Sequence, residues 1–587
     1  MNGIRILAVV AAAVSFSSFA GVDWYVVDPM SERPYLPGEA PKDGEKGGDL
    51  RIVAARGEYE PCSFVLVSDA DLGKVSIDIS DLKREQGTGN GEQGDEVFPK
   101  ENLDLKNVKV WYQCGNAWYS YFGDTGLVLC PELLLNDEDL VKVDEQKGCN
   151  YARRTEKDGS VSYRWLNPPA AVDTRLEDVT RMGKWLSVSG SFDCMKENFS
   201  DAPTYRGVTL AKGVHKQVFL TAHVTTNQAA GLYRGEVRVQ GRGHQWSIPI
   251  SLRVLDFTLP EPCCYYDCHK PFGVRFHQYI SLDHILSVNG NDRALAERQM
   301  VAILSDFVRH GDTNPCYLDR HEHPEWARQA GQSFANPHYN GDKMELDEKV
   351  EMRYRARRMK ERMTRIAGGW YRPFLTWNNE YTLHDFRGIR DAGMVRIYKE
   401  AGFRFACETR SGYDGDTHLF DRWWPPLAPD QENVEKGATL NHMGVDFAWY
   451  AVQHIGAENP AFNRRQCGFG AYRAGFTINE NYAHHLGGWN DLTDGYKPMM
   501  FVYGTGNGCV DTLAWEGFRE GLDDIRYATL LLRLAQPLLQ DESPAVREPA
   551  RKAVKLLATA TGDDMDLTTL RLEMIGHIEA LKGLGVR

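Results

Sequence analysis

The sequence predicts a multidomain protein: an N-terminal antiparallel β-sandwich, then a (β/α)8 TIM-like barrel, then a short C-terminal helical extension. Before residue 260, apolar residues alternate with polar ones, as at Val75, Ile77 and Ile79, which is the pattern of half-buried strands. After residue 260, strand-like and helix-like segments follow one another in turn. That order is typical of parallel strands joined by crossover helices.

The predicted sandwich spans residues 21–260. Its clearest strand carries Trp246, Ile248, Ile250, Leu252 and Val254 on one face. Further strands are expected over 218–224 and 235–239, and six or more strands of this kind favour a sandwich. Between about 145 and 215 the alternation fails, and we expect an irregular insertion there.

The predicted barrel spans residues 263–540. Ala296, Met300, Ile303 and Phe307 form one helical stripe that ends before Gly311. Short strands are expected over 403–407, 447–453 and 475–481, with a helix over 464–473 between the last two. About 250 residues of such alternation fit a closed barrel. From 541 to 587, apolar residues at near-helical spacing predict a pair of packing helices.

Residues 1–20 have the features of a signal peptide. Arg5 precedes an apolar run, and Ser18-Phe19-Ala20 forms a small-x-small cleavage site. The alternative is an uncleaved anchor. No later stretch approaches about 18 uninterrupted apolar residues, so we expect cleavage after Ala20, no membrane span in the mature chain, and a periplasmic or secreted location.

The charge balance argues against one class of partner. The chain has 68 basic and 81 acidic residues and a formal net charge of −13. Binding to nucleic acid needs a basic face, so no nucleic-acid partner is predicted. A neutral or small polar substrate fits this charge better. The sequence gives no indication of the oligomeric state.

No metal or cofactor is predicted. The sequence has twelve cysteines, irregularly spaced, and the group Cys263, Cys264, Cys268 and His269 matches no standard zinc pattern. Buried thiols or one disulfide are expected there. The remaining histidine clusters lack the two-histidine spacing of a helical metal site; they are His321, His323, His484 and His485.

Two predicted strands end in a carboxylate among amides and aromatics. The first ends in Asn379-Glu380-Tyr381, and the second includes Glu480. Active sites of βα-barrels lie at the carboxyl ends of the strands. Two carboxylates facing each other across a barrel mouth can split a glycosidic bond, one as acid and the other as nucleophile or base. For each glutamate the alternative is a salt-bridged rim residue.

Aromatic residues near these strand ends suit the stacking of a sugar ring. We expect a substrate-binding role for a set of six, and the alternative for each is a place in the core: Trp377, Tyr381, Trp423, Trp424, Trp449 and Tyr450.

A longer motif gives a family resemblance. The run Trp515-Glu516-Gly517-Phe518-Arg519-Glu520-Gly521, within 510–527, resembles the C-terminal signature of glycoside hydrolase family 123 and its looser relatives. Segments 54–61, 230–235 and 254–260 resemble the non-catalytic N-terminal domain of such proteins, so the likeness covers nearly the whole mature chain. Within the motif, we expect Glu516 and Arg519 to form an ion pair that ties the last barrel helix to the body.

The resemblance implies removal of β-linked N-acetylgalactosamine with retention. In that family an adjacent Asp-Glu pair acts: the Glu is the general acid/base, and the Asp orients the substrate's own acetamido group as it attacks C1. Here the matching pair is Asn379-Glu380. The acid is present and its anionic partner is not, although a nearby carboxylate would stabilise the cationic intermediate.

This departure leaves three functions open. The first is a β-N-acetylgalactosaminidase-like enzyme with Glu380 as general acid/base. The second is a retaining glycosidase acting on a sugar without an N-acetyl group, with Asn379 bonding the substituent at C2 and Glu480 as nucleophile. The third is a catalytically lapsed barrel that only binds glycans.

Overall fold

The structure is a computed structural model that describes most of the chain. Inside some strands and helices it describes only the backbone. The predicted signal peptide, residues 1–20, lies outside the described residues. The described ranges are 21–85, 97–114, 127–155, 158–166, 199–278, 282–288, 291–313, 315–317, 323–332, 338–340, 357–358, 361, 374–381, 393–400, 404–409, 421–424, 431–451, 459–485, 489, 501–506, 508–560 and 566–585.

Two large sheets form from the chain before residue 260. In spatial order, the first contains Glu45–Lys46, Val22–Val27, Glu58–Ser68, Lys216–Val224, Leu103–Cys114 and Leu127–Leu135. The second contains Val208–Leu210, Gly73–Ile79, Gly231–Gly241, His244–Thr258 and Leu50–Arg56, with Leu82–Arg84 and Val97–Phe98 beside them.

Apolar side chains from both sheets share one buried cluster. Phe64 and Leu220 come from the first sheet, and Ile77 and Leu252 from the second. Pairing is antiparallel except where His244–Thr258 runs parallel to Leu50–Arg56. The alternating pattern therefore predicted β structure correctly, because period-two alternation gives each strand one apolar face. It could not predict which strand pair would run parallel.

The region expected to be an irregular insertion begins as regular structure. Val141–Asp144, Cys149–Thr155 and Val161–Trp165 form a three-stranded antiparallel sheet. Their side chains alternate weakly because several residues on both faces are only partly buried, which hid the strands in the sequence. Residues 167–198 of the predicted insertion lie outside the described residues.

After residue 260 the chain builds one sheet of eight parallel strands. Their spatial order is Cys316–Tyr317, Gly273–Gln278, Ile478–His485, Asp446–Ala451, Arg422–Trp424, Arg404–Thr409, Phe374–Tyr381 and His338–Asn340. The sequence predicted four of these segments within a few residues. A β-rich protein with mixed sheets is thereby confirmed, and closure into a full (β/α)8 barrel after a sandwich stays a prediction.

Helices lie between and after these strands, and two small hairpins accompany them. The hairpins are Cys263–Cys264 with Asp267–Pro271, and Val502–Thr505 with Gly508–Asp511. The helices are Leu282–Val288, Arg293–Arg309, Pro324–Gln329, Met394–Glu400, Gln431–His442, Pro460–Asn463, the π-helical Arg464–Gly470, Ala471–Arg473, Leu513–Ala535, Pro544–Thr559 and Leu567–Gly583. Single 3-10 turns cover Lys100–Asn102, Glu138–Leu140 and Gln536–Leu538. The last two long helices are the packing pair expected after residue 541.

The helix Leu513–Ala535 crosses the segment 460–470 at very short range. A Cβ atom added to Gly517 would lie 2.3 Å from the Pro460 carbonyl oxygen, and one added to Gly521 would lie 2.6 Å from the Arg464 carbonyl oxygen. The two glycines are four residues apart and therefore share one helix face. This contact explains why both glycines stand in the Trp515–Gly521 motif. Opposite them, Gly468 has non-helical backbone angles, so the predicted helix over 464–473 is interrupted there.

The same helix is joined to the first sheet by buried charges around Arg571. Its guanidinium donates to Asp524 Oδ1 at 2.7 Å, to Glu520 Oε2 at 2.7 Å and to Glu60 Oε2 at 2.8 Å. Burial, reinforced by Asp523, raises the pKa of the neighbouring Glu58 to about 8. One arginine thus connects the C-terminal helix, the motif helix and a strand near the N-terminus.

The structure describes the side chains of eight cysteines, and all eight are free thiols. They include Cys263, Cys264 and Cys268, which agrees with the expected buried thiols. A search of the described helices finds none with the length and apolar character needed to cross a bilayer.

We expect Gly521→Ala to destabilise the protein by about 1 to 3 kcal/mol, because the new methyl group would collide with the Arg464 carbonyl and with Gly468. Gly576→Ala is the matched control. Gly576 also lies within a helix but has no neighbouring atom within 4 Å of an added Cβ, so alanine there should stabilise by up to about 1 kcal/mol. Urea denaturation would measure both, and equal effects would contradict the close-packing interpretation.

Candidate active site at the parallel sheet

The nine residues predicted for the site lie on four strands of the parallel sheet. Asn379 and Glu380 are close to the carboxyl end of Phe374–Tyr381, which also contains Trp377 and Tyr381. The other strands are Arg422–Trp424 with two of the tryptophans, Asp446–Ala451 with Trp449 and Tyr450, and Ile478–His485 with Glu480. One sheet therefore brings all nine backbones together.

The strand register relates the two glutamates. Across neighbouring strands, Trp377 is opposite Cys407, and Cys407 is opposite Trp423. The strand that contains Trp423 then pairs with Asp446–Ala451. On the far side, Tyr450 is opposite Glu480. The side chains of the predicted residues other than Glu480 lie outside what the structure describes, so the distance between the two carboxyl groups stays untested.

Glu480 projects from the sheet face that is turned away from the helices. Its neighbour Asn479 donates a hydrogen bond to the carbonyl of Cys467 in the π-helical segment. On the next strand, Phe276 packs against Trp515 and Phe518 of the motif helix. Since side chains alternate along a strand, Glu480 and Arg275 share the opposite face. We call this the inner face, defined by Gly273, Arg275, Ile478 and Glu480.

Two buried arginines share the Glu480 carboxylate. Arg275 Nη1 lies 3.5 Å and Arg422 Nη1 lies 3.2 Å from Glu480 Oε1. Arg422 also contacts Asp446 Oδ2 at 3.6 Å, and Lys270 lies 2.7 Å from Asp446 Oδ1. The exposed fractions are 1% for Glu480, 3% for Arg275 and 6% for Arg422.

These contacts decide the charges on the inner face. Burial raises the pKa of Asp446, but Arg422 and Lys270 outweigh it, so the net effect lowers this pKa and the carboxylate stays ionised. Burial lowers the pKa of Arg422, although Glu480 and Asp446 act in the opposite direction. An arginine stays protonated under ordinary conditions. The inner face is therefore a buried network in which Glu480 and Asp446 are bridged by Arg422.

The sequence reasoning missed Arg275 and Arg422. A signal for Arg275 was present, because a charged residue between Val274 and Phe276 interrupts an apolar strand. Buried arginines are rare unless they are paired. Their common partner could not be inferred, because Arg275, Arg422 and Glu480 are separated by 58 or more residues in sequence.

A second buried cluster surrounds the motif residues Trp515 and Glu516. Asp306 accepts hydrogen bonds from Trp515 Nε1 at 3.0 Å and from His484 Nε2 at 3.4 Å. His310 contacts Asp306 Oδ1 at 3.2 Å through Nδ1 and Glu516 Oε1 at 3.3 Å through Nε2. We name Asp306, His310, His484, Trp515 and Glu516 the motif cluster.

Glu516 and Arg519 form the predicted ion pair and both are buried, but the pair lies within one helix, and the contact of Glu516 with another element is to His310. Burial opposes the charge of His310, but Asp306 and Glu516 raise its pKa to about 9. Burial likewise opposes the charge of Asp306, yet His310 and His484 hold its pKa well below the usual value. The motif cluster thus contains an imidazolium between two carboxylates.

One group of potential metal ligands lies within the described residues. Oxygen and nitrogen atoms of Asp306, His310 and Asp511 lie within 4.8 Å of one another. Their charges are already balanced, because His310 is protonated and Arg309 lies 2.9 Å from Asp306 Oδ1. Burial and the charge of Asp306 also raise the pKa of Asp511 to about 7. We interpret this group as a structural network.

The histidines weighed as metal ligands are distributed differently. His484 belongs to the motif cluster, where the centroid of its ring lies 3.9 Å from that of Phe307. His323 stacks on Trp326 and contacts Glu325. His321 and the side chain of His485 lie outside the described residues.

Comparisons with known proteins give structural likeness without sequence likeness. No protein-family model matches the chain, and no curated protein matches it. A family 123 glycoside hydrolase from Clostridium perfringens, studied for glycolipid glycan hydrolysis, aligns with a TM-score of 0.60 at 9% identity over 96% of this chain and 98% of that chain. The chain therefore shares the overall fold of that protein.

Two further glycosidases align less well. The β-glucuronidase of Parabacteroides merdae gives a TM-score of 0.27 at 9% identity, over 85% of this chain and 73% of that chain. A family 20 exo-β-N-acetylglucosaminidase from Vibrio harveyi gives a TM-score of 0.23 at 7% identity, over 92% of this chain and 99% of that chain. Scores this low carry no argument about the site.

We expect Glu480→Gln to lower the free energy of unfolding by roughly 3 to 5 kcal/mol, because Arg275 would lose its carboxylate while staying buried. Glu579→Gln is the control, since Glu579 pairs with Arg253 on the surface and should cost less than about 1 kcal/mol. Urea denaturation measures both. A Glu480→Gln variant as stable as the wild type would contradict the anchoring role.

We expect the motif cluster to make stability depend on pH. The pKa of His310 is about 9 in the folded protein and about 6.5 in an unfolded chain. Its stabilising contribution is therefore complete below pH 6.5 and is lost as the pH rises through 9. His310→Gln should cost on the order of 3 kcal/mol more at pH 6.5 than at pH 9.5.

Urea denaturation followed by tryptophan fluorescence at both pH values measures this difference. The control is His442→Gln, because His442 is exposed at a helix end and should give the same small effect at each pH. A His310→Gln variant with the same cost at pH 6.5 and 9.5 would contradict the protonated bridge.

Proposed function

We propose that the protein is a glycoside hydrolase that cleaves a β-glycosidic bond, with Glu380 as the general acid/base. The observation that carries this proposal is the position of Glu380 as the last residue but one of a parallel strand, in a chain that shares its overall fold with a family 123 glycoside hydrolase. Carboxyl ends of parallel strands are where barrel enzymes place catalytic groups. Closure of the eight strands into a (β/α)8 barrel is part of the proposal.

In the proposed reaction, protonated Glu380 donates its proton to the glycosidic oxygen as the bond to C1 breaks. The resulting carboxylate then removes a proton from the water that attacks C1. Asn379, the adjacent residue, would donate a hydrogen bond to the substituent at C2. If that substituent is an acetamido group, its carbonyl oxygen can attack C1 and no protein nucleophile is required.

The environment of Glu480 favours this route over a nucleophilic Glu480. Two guanidiniums bind its Oε1 atom, and both interactions would be weakened once the carboxylate became a neutral ester. Breaking buried ion pairs is costly. We therefore propose that Glu480 holds Arg275 and Arg422 in place while Glu380 performs the proton transfers. The most similar activity is that of a β-N-acetylgalactosaminidase.

We expect Glu380→Gln to lower kcat/KM about 100- to 10,000-fold on 4-methylumbelliferyl glycosides, because proton donation to the leaving group contributes about that much. The loss should be much smaller on 2,4-dinitrophenyl glycosides, whose leaving group needs no proton. Glu435→Gln, on an exposed helix position, is the control and should match the wild type.

Azide separates the two possible roles of the glutamates. Azide should restore the activity of Glu380→Gln on the dinitrophenyl substrate and give a glycosyl azide with retained configuration. Restored activity of a Glu480→Gly variant with an inverted azide product would instead identify Glu480 as the nucleophile. An unaffected Glu380→Gln variant would overturn the acid/base assignment, and a wild type inactive on every glycoside would favour a glycan-binding protein.

A further inference from the structure

We propose that the sugar bound beside Glu380 carries an anionic oxygen group, a carboxylate or a sulfate ester, and that Arg275 binds it. This inference rests on the proposed function, since it names the substrate class of the same site. It differs from the expectation of a neutral substrate, which came from the net charge of the whole chain. The charge on the inner face is local and of the opposite sign.

Arg275 has fewer partners than a buried arginine normally requires. It is 3% exposed, and its Nη1 atom contacts Glu480. Its Nε and Nη2 atoms are buried and have no hydrogen-bond partner among the described residues. A buried polar group without a partner destabilises the protein, and more strongly when it is charged. This cost would be relieved by an acceptor from outside the chain.

Among the described residues, three of the other four buried arginines are better matched, and the fourth, Arg519, donates to Glu516 through Nη2 and lacks a partner at Nε. Arg464 binds both oxygens of Asp524 through Nε and Nη2, at 2.8 and 3.0 Å. Arg571 uses Nε, Nη1 and Nη2 in hydrogen bonds to acidic residues and a carbonyl. Arg422 has Asp446 in addition to Glu480. Arg275, by contrast, shares the Glu480 carboxylate with Arg422. The Arg275 atoms that lack a hydrogen-bond partner, Nε and Nη2, lie on one edge of its guanidinium group.

The unpaired edge has the shape of an oxyanion receptor. The Nε and Nη2 hydrogens of an arginine point in the same direction in the guanidinium plane and form a fork for two oxygens of a carboxylate or sulfate. The same edge of Arg464 receives the two oxygens of Asp524. Glu480 binds the Nη1 atom of Arg275 and so orients the guanidinium plane. The Nε and Nη2 atoms on the other edge are left without a partner. Ligand binding would therefore cost little reorganisation.

The position of Arg275 suits a substrate next to Glu380. Gly273–Gln278 is second from one end of the parallel sheet, and Phe374–Tyr381 is second from the other. In the proposed barrel the end strands meet, so these two strands are three positions apart around the mouth. Asn379 fits the same substrate, because an amide at that position does not repel an anionic sugar as an aspartate would.

The test compares anionic and neutral sugars of the same parent structure. Calorimetry would measure binding of glucuronate, galacturonate and N-acetylgalactosamine 6-sulfate against glucose, galactose and N-acetylgalactosamine. Hydrolysis of the corresponding 4-nitrophenyl β-glycosides would be measured in parallel. We expect about a 100-fold preference for one anionic class, which is the effect of one charge-assisted fork. Uronides and sulfated sugars are measured separately, so the class that binds more tightly shows whether the anionic group is a carboxylate or a sulfate ester.

Variants at Arg275 connect the preference to the fork. Arg275→Gln should reduce the preference to near one, and Arg275→Lys should retain part of it, because lysine keeps the charge and loses the fork. The double variant Arg275→Gln, Glu480→Gln removes both members of this ion pair, and Arg422 keeps its contact with Asp446, so it is the second variant to test if the single variant does not fold. Arg253→Gln, which breaks a surface pair with Glu579, is the matched control and should keep the full preference.

The outcomes distinguish this inference from the proposed function. Binding of an anionic sugar that depends on Arg275, without hydrolysis of any glycoside, supports the inference and overturns the enzymatic proposal. Hydrolysis of neutral glycosides with no preference for an anionic group overturns the inference and leaves the enzymatic proposal standing. A preference that survives both Arg275→Gln and the double variant also overturns the inference.

Discussion

Burial of the helix Leu513–Ala535 on nearly every side is the constraint on which the rest of the structure depends. It contacts the first sheet, the parallel sheet and both C-terminal helices, and all four of its acidic residues are buried. Two consequences follow. Gly517 and Gly521 must lack side chains because the backbone of 460–468 lies against them. Every acidic residue on the helix must also meet a buried cation or carry a proton.

Three of the four acidic residues meet this requirement in two separate networks, and Asp523 binds Arg526 of the same helix. On one side, Glu520 and Asp524 bind Arg571 from the C-terminal helix. On the other, Glu516 binds Arg519 and the protonated His310. Because a buried ion pair that loses one member is strongly destabilising, the Arg571 network holds the motif helix against the first sheet, and the His310 network holds it against the helix Arg293–Arg309. The family-like motif is accordingly a structural element, and the proposed chemistry lies on the strands.

The inner face of the parallel sheet follows the same electrostatic rule with one exception. Glu480 and Asp446 are matched by Arg422 and Lys270, whereas Arg275 keeps an unpaired edge. Arg422, Arg464 and Arg571 each have contacts at two or more guanidinium nitrogens, whereas Arg275 lacks a partner at both Nε and Nη2. Incomplete pairing is costly in a purely structural network, and it is useful where a ligand supplies the missing acceptor.

The sequence by itself determined the order of elements and the position of the candidate acid. Alternation with period two and stripes with period 3.6 are local properties, so they predicted the β-rich first half, the strand with Glu380 and the C-terminal helix pair. They could not predict Arg275 and Arg422 as partners of Glu480, or the clustering of Asp306 with Trp515. Those pairings join residues far apart in the chain, and only the tertiary structure decides which buried charges meet and which one is left without a partner.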